Sequence, residues 1–196
     1  TLCFSLLKDG AKTGVSFRGI PNGHEFTSLL LAILNADGKG KNLPDEGIAR
    51  RVRALKGDIR LQTYVSLTCT NCPDIVQTLN IFALLNPNIS HEMVDGALFQ
   101  SEVDSKGVQA VPTVFADGEM LHVGRGSLGE LLEKLETRYG SSQTTDEESV
   151  APVNRSFDVV VLGGGPAGAS AAIYSAARQA PTCPALSADP PGRVTP

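Results

Sequence analysis

The alternation of apolar and polar residues predicts strands and helices along the first part of the chain. Residues 2–7 and 15–20 are predicted as two strands separated by a glycine-containing polar turn, and we expect them to pair as a hairpin. Residues 24–35 have apolar side chains at helical spacing. A second helix is predicted at 44–55, with Pro44 in its first turn.

A more regular pattern follows and predicts the order β-α-β-α-β-β-α. In chain order, the predicted elements are a strand at 59–65, a helix at 73–85, a strand at 89–94, a helix at 98–106, a hairpin at 114–123 and a helix at 128–139. The hairpin turns at Asp117-Gly118, a pair that favours tight turns. The pattern indicates an α/β fold.

Composition changes suggest four segments. Residues 1–56 form one incomplete unit and residues 57–140 a complete one. Residues 141–156 are polar and acidic with few large apolar side chains, which is typical of a flexible linker. Residues 157–196 begin with a run typical of a buried strand and end in a proline-rich tail.

Composition and charge exclude several classes of protein. The 196 residues have a net charge of −4, so a nucleic acid is not expected as the main partner. No apolar run reaches the roughly 18 residues that a membrane span requires. Four cysteines are too few for a secreted disulfide scaffold.

Two of the cysteines carry candidate chemistry. Cys69 and Cys72 form a Cys-x-x-Cys-Pro motif between a predicted strand and a predicted helix. A cysteine at a helix N-terminus has its thiolate stabilised by free N–H groups and the helix dipole, so we expect Cys69 to attack and Cys72 to resolve. Zinc binding and an inert disulfide are the alternatives, although zinc usually needs a second ligand pair and none is spaced for it. We therefore expect no metal site.

A proline supports the redox interpretation. Val111-Pro112-Thr113 comes just before the predicted hairpin. In thioredoxin-like folds a cis proline at this position packs beside the dithiol, while an ordinary trans proline at a strand start is the alternative. Gly124 resembles the glycine turn before the last helix of that fold.

A glycine-rich loop lies in the last segment. The loop Gly163-Gly164-Gly165-Pro166-Ala167-Gly168 follows a hydrophobic strand and opens an alanine-rich helix, the context of a dinucleotide pyrophosphate site. The prolines that follow are not expected to form the next strand of such a site, and no strand is expected to present Asp189 to a ribose.

Several segments together resemble the AhpF family, the flavoprotein components of alkyl hydroperoxide reductases. They are GHEFTSLLLA, YVSLTCTNCPDIVQTLN, LNPNISH, VDGALFQ, VPTVFADG and VVVLGGGPAGASAAIYSAAR. The resemblance implies a bacterial cytoplasmic flavoprotein with tandem thioredoxin-like modules, of which residues 1–56 hold only part of the first. A thioredoxin reductase-like domain with a Rossmann-type FAD-binding start would follow. It also implies homodimerisation of the complete protein.

The same resemblance implies an electron path in peroxide defence. NADH would reduce FAD, and electrons would pass through a second dithiol to Cys69 and Cys72. From there they would reach AhpC, the peroxiredoxin component of the alkyl hydroperoxide reductase system. The complete protein would thus contain FAD and NADH sites, while the present chain would have only the dithiol part and too short a flavin domain.

The resemblance also assigns roles to individual positions. Cys69, Cys72, Pro112 and Glu25 would be catalytic, with Glu25 accepting a proton from the dithiol; the alternative is an ordinary acid in a helix first turn. The residues matching the FAD pyrophosphate loop are Gly163, Gly165, Pro166, Ala167 and Gly168.

The ends depart from the family pattern. The first module lacks its opening strand and helix, the chain starts at Thr1, and the sequence after Arg178 or Gln179 no longer resembles the family. We therefore expect the chain to be a part of a longer protein, with a tail that arose by a frameshift or an artificial end. A non-catalytic thioredoxin-like binding module or an inactive remnant is the alternative function.

Overall fold

The computed structural model describes residues 2–41, 43–142, 159–162, 165–177 and 182–185. These residues belong to two units, Thr1–Thr144 and Thr145–Pro196, and each is considered by itself. Among the helices in these ranges, none has the length and apolar character needed to cross a bilayer.

The first unit follows the predicted order of elements. Its strands and helices are β1 (Cys3–Lys8), β2 (Ala11–Arg18), α1 (Phe26–Ala36), α2 (Glu46–Arg53), β3 (Ile59–Val65), α3 (Cys72–Leu85), β4 (Ile89–Asp95), α4 (Gln100–Ser105), β5 (Thr113–Ala116), β6 (Glu119–Val123) and α5 (Leu128–Tyr139). A short 3-10 turn at Gly23–Glu25 precedes α1. The β-α-β-α-β-β-α order from β3 onward is confirmed.

The first hairpin forms as predicted, but its turn is tighter. β1 and β2 pair antiparallel and are joined at Asp9 and Gly10, which both have positive φ. This backbone suits a two-residue hairpin turn. β2 therefore starts four residues earlier than expected and contains Gly14 at φ +84°, which lies opposite the irregularity in the β1–β2 register.

The strands of the first unit form a single mixed sheet in the order β1-β2-β4-β3-β5-β6. β2 runs parallel to β4, with Val15 opposite His91 and Phe17 opposite Met93. β3 lies parallel to β4 and antiparallel to β5. The opening hairpin thus extends the sheet that carries the dithiol, while the domain boundary at residue 56 stays a prediction.

The main core lies on the α3 face of this sheet. Phe17 and Ala32 from the opening segment are buried in one cluster with Leu79 and Phe82 of α3. Burying a large apolar side chain such as Phe17 contributes roughly 1.5–3 kcal/mol. Residues on both sides of position 56 therefore stabilise each other and the position of α3.

Helix ends follow local capping chemistry. Asp45 caps α2 by accepting a hydrogen bond from the Ile48 N–H at 2.9 Å. The prediction that Pro44 lies in the first helical turn is therefore wrong, because the better N-cap residue follows it. Ser127 caps α5 in the same way through the Glu130 N–H.

The described residues of the second unit form a βαβ arrangement. It consists of β7 (Val159–Leu162), α6 (Pro166–Ala177) and β8 (Thr182–Ala185), and β7 and β8 run parallel. The expectation that no strand follows the helix is therefore wrong. A two-stranded sheet consists of edges, and an edge strand tolerates a proline such as Pro184. Asp189 and most of residues 141–156 lie outside the described residues.

Candidate functional site

The dithiol lies where β3 ends and α3 begins. Cys69 is half-buried in the connecting loop, and its N–H donates to the Ser66 carbonyl at 2.9 Å. Cys72 is the first residue of α3 and is fully buried. Both are free thiols, so the structure represents the reduced dithiol. One sulfur is therefore accessible to a partner and the other is not.

The environment of Cys72 favours its protonated form. Burial raises the pKa of the Cys72 thiol, and the hydrogen bond to Cys69 raises it further. A hydrogen bond that raises a thiol pKa is one in which that thiol donates, so Cys72 donates to the Cys69 sulfur. The Ser66 backbone opposes the rise and the Glu25 charge adds to it.

The proline faces the accessible sulfur. The Val111–Pro112 peptide bond is cis, and the Cys69 Sγ lies 3.9 Å from the Val111 carbonyl oxygen. Pro112 itself is buried, and its carbonyl accepts a hydrogen bond from the Gly124 N–H at 2.8 Å. The structure thus brings Pro112 and the predicted glycine turn to the dithiol.

Glu25 also lies at this end of the sheet, and the prediction that it begins a helix is wrong. It ends the 3-10 turn before α1 and is 0% exposed. The His24 N–H donates to the Leu67 carbonyl at 3.1 Å, which fixes this turn to the loop before Cys69. A Cβ on Gly23 would lie 2.5 Å from the same carbonyl oxygen, so only glycine allows this approach.

The Glu25 carboxyl is both buried and unpaired. Neither of its oxygens has a hydrogen-bond partner of good geometry among the residues that the structure describes. Burial raises the pKa of Glu25 to about 7; the Ser28 hydroxyl opposes the rise and the charge of Asp74 adds to it. Such a carboxyl changes its protonation state near neutral pH, as a general acid or base requires.

Two residues at the site were missed by sequence reasoning. Asn71 occupies the N-cap position of α3, but its side chain makes no cap hydrogen bond. Its Oδ1 instead accepts a hydrogen bond from Arg125 Nε at 2.9 Å. The only sequence signal was the turn at Gly124, which indicates that the next side chain reaches the dithiol loop.

The glycine loop belongs to the second unit and lies only partly within the described residues. Gly163 is outside them. Gly165 precedes α6, and a Cβ there would meet no atom within 4 Å, so there is open space at the start of the helix. Pro166, Ala167 and Gly168 form the first turn of α6. This local arrangement fits the pyrophosphate part of a dinucleotide.

Metal ligands were also sought. In the ranges that the structure covers, no group of three or more His, Cys, Asp or Glu side chains is placed to hold a metal ion. Cys69, Cys72, Pro112 and Glu25 are thus brought together in the first unit with Arg125, and the loop residues form a separate group in the second.

Comparisons with known proteins agree with this geometry. A family model described as a thioredoxin domain matches residues 59–137. A Bacillus subtilis (strain 168) protein named NADH dehydrogenase is 48% identical over 176 residues, which are 90% of this chain and 33% of that protein. The alkyl hydroperoxide reductase AhpF of Pseudomonas putida is 47% identical over 173 residues, 88% of this chain and 32% of that protein.

A solved structure shows the same relationship. The crystal structure of the NTD_N/C domain of alkylhydroperoxide reductase AhpF from Enterococcus faecalis (V583) matches with 36% identity and a TM-score of 0.60. The match covers 64% of this chain and 60% of that one. The chain spans about a third of the length of the curated relatives it matches. Over most of its length, it is therefore a homologue of the alkyl hydroperoxide reductase flavoprotein AhpF, with a thioredoxin-like fold.

Proposed function

We propose that the first unit is a thiol–disulfide oxidoreductase that reduces the disulfide of a peroxiredoxin, the AhpC component of an alkyl hydroperoxide reductase system. One observation carries the proposal: an accessible cysteine accepts a hydrogen bond from a buried one, beside a cis proline. This asymmetry gives the two sulfurs different roles. The reaction would take place in the bacterial cytoplasm, where thiols are kept reduced.

The first step forms a mixed disulfide. The Cys69 thiolate attacks one sulfur of the partner disulfide, a Cys69–partner S–S bond forms, and the partner S–S bond breaks. The electron pair of the broken bond leaves on the other partner sulfur, which takes up a proton. The free N–H groups at the start of α3 and the Cys72 donor stabilise negative charge on Cys69 before the attack.

The second step releases the partner. Cys72 loses its proton to Glu25, and its thiolate attacks the Cys69 sulfur to form the Cys69–Cys72 disulfide. The second partner sulfur leaves as a thiolate and is protonated. Two electrons and two protons have then moved to the partner. Glu25 suits the acceptor role because its pKa of about 7 leaves an appreciable carboxylate fraction at neutral pH.

The dithiol must be reduced again after each cycle. FAD, when bound to the complete protein, supplies electrons that it takes from NADH as a hydride. In this chain, the start of α6 after Gly165 would hold the pyrophosphate of that cofactor. The tandem modules, the Rossmann-type start, the homodimer and the second dithiol are part of this proposal for the complete protein.

The test uses the chain after chemical reduction and removal of the reductant. Mixed with an oxidised peroxiredoxin, it should convert the disulfide-linked dimer to monomers on a non-reducing gel. Cys69→Ser should abolish this conversion, while Cys3→Ser, which alters an exposed cysteine on β1, should leave it intact. Full activity of the Cys69→Ser variant, or an unreactive dithiol in the unaltered chain, would favour a non-catalytic binding module and contradict the proposal.

A further inference from the structure

Given the proposed function, we propose that Arg125 recognises a carboxylate on the partner, so that the preferred substrate is a peptide disulfide with an acidic side chain beside its cysteine. Arg125 is exposed and is tied to the loop between the two cysteines by its bond to Asn71. A guanidinium in this place meets any segment that approaches Cys69.

The guanidinium has donors to spare. In the described part of the chain, Nε is the guanidinium nitrogen of Arg125 that donates a hydrogen bond, and no ion pair joins Arg125 to Asp74. The two terminal nitrogens are therefore open to a ligand. A guanidinium presents such donors as a planar fork, which matches both oxygens of a carboxylate.

The backbone that carries Arg125 is fixed before any partner arrives. The Gly124 N–H donates to Pro112, and His122 Nε2 lies 3.1 and 3.0 Å from the carbonyl oxygens of Gly124 and Arg125. Because both neighbours are acceptors, Nε2 has to be the donor. A Cβ on Gly126 would lie 2.7 Å from that nitrogen, so the ring packs tightly under the loop. Such preorganisation lowers the entropy that binding would otherwise cost.

The surrounding surface has room for a side chain. Arg125 lines an open concavity of about 550 Å³ together with Asn71, Asp74, Gly126 and Ser127. Asp74 repels a carboxylate placed on its side, so an acidic group is directed toward Arg125. The concavity therefore selects the sign of the charge and the side on which it enters.

Two small disulfide reagents separate recognition from thiol reactivity. Dithiobis(nitrobenzoate) has a carboxylate on each ring, and dithiodipyridine has none. In a background with Cys3 and Cys183 changed to serine, Arg125→Gln should lower the rate with dithiobis(nitrobenzoate) about ten-fold relative to dithiodipyridine, the loss expected for one charge-assisted hydrogen bond. A general effect on thiolate reactivity would change both rates equally and leave their ratio unaltered.

The control removes the same charge elsewhere. Arg60 lies at the opposite end of β3 from the dithiol, and Arg60→Gln should leave the ratio of the two rates unchanged. A matched pair of peptide disulfides, with Glu or Gln next to the cysteine, should show the same preference in the unaltered chain and lose it in Arg125→Gln. An unchanged ratio in Arg125→Gln would overturn the inference while leaving the proposed function intact. Failure of both reagents to react at Cys69 would instead overturn the proposed function.

Discussion

Two buried titratable groups in the first unit are treated in opposite ways. His91 lies in β4 and Glu25 lies beside the dithiol, and each is 0% exposed. Both ring nitrogens of His91 have partners: Nε2 is 2.8 Å from Thr63 Oγ1, and Nδ1 is 2.7 Å from Asn80 Oδ1. Neither oxygen of Glu25 has a partner within the described ranges.

The difference separates a structural group from a functional one. Burial lowers the pKa of His91 to about 3, so the ring stays neutral and serves as a hydrogen-bonding link between β3, β4 and α3. Burial raises the pKa of Glu25 to about 7, so the carboxyl changes charge under working conditions. An unpaired buried acid destabilises the fold, and such a cost is typical of a site kept for chemistry.

The largest expected effect is the loss of stability in acid through His91. Its folded pKa of about 3 lies below the ordinary histidine value of 6.5, so the unfolded chain binds more protons between these values. Its contribution is therefore complete above pH 6.5 and is lost as the pH falls toward 3, by about 5 kcal/mol in total.

Urea unfolding across this range measures the effect in a Glu25→Gln background, which removes the opposing titration. His91→Gln should be less stable at neutral pH and should show a shallower decline in acid. Identical slopes with and without His91 would show that the buried ring does not govern acid stability.

Next in size is the opposite dependence that Glu25 creates. Its folded pKa of about 7 exceeds the ordinary glutamate value of 4.5, so the folded chain binds more protons between these values. Stability is complete below pH 4.5 and is lost as the pH rises through 7, by about 3 kcal/mol. The difference in unfolding free energy between Glu25→Gln and the unaltered chain should grow in favour of Gln over this range. A difference that does not vary with pH would refute the raised pKa.

The same substitution should slow the chemistry. Without a proton acceptor, Cys72 releases the partner slowly, and Glu25→Gln should lower the rate of mixed-disulfide resolution on the order of 100-fold at neutral pH. Stopped-flow measurement of the two steps separates attack from resolution. Gln77→Glu, which adds a carboxyl one α3 turn after Cys72 and Pro73, tests whether any nearby acid restores the rate. A resolution rate in Glu25→Gln equal to that of the unaltered chain would remove Glu25 from the mechanism.

The smallest effects come from the neighbours of Glu25. Ser28→Ala removes the hydroxyl that opposes the rise in the Glu25 pKa, and Asp74→Asn removes a charge that adds to it. The midpoint of the pH profile for resolution should therefore move up in Ser28→Ala and down in Asp74→Asn, each by less than about one pH unit. Movement of both midpoints in the same direction would contradict this assignment of causes.

Local sequence signals were sufficient for much of this architecture. The Cys-x-x-Cys-Pro motif, the Asp117-Gly118 hairpin and the amphipathic pattern of α5 each depend on neighbouring residues, and each appears where it was predicted. The parallel pairing of β2 with β4 joins segments about 75 residues apart, and no local pattern specifies which strands meet.

The site was only partly accessible to sequence reasoning for the same reason. Glu25 was singled out by resemblance, but its burial depends on the approach of Gly23 to Leu67 across the chain. Arg125 was missed because an arginine after a hairpin is usually a solvated side chain. Its bond to Asn71 arises only when β6 returns beside the start of α3. The strand at β8 was missed because prolines exclude a central strand but not an edge.

The most direct test of the central claim is to trap the first intermediate. The Cys72→Ser variant, with Cys3 and Cys183 also changed to serine, is mixed with an oxidised peroxiredoxin, and the covalent product is located by mass spectrometry after digestion. The account predicts a stable mixed disulfide between Cys69 and one peroxiredoxin cysteine, which does not form when Cys69 is also replaced. The absence of any adduct at Cys69 while the peroxiredoxin disulfide remains intact would contradict it.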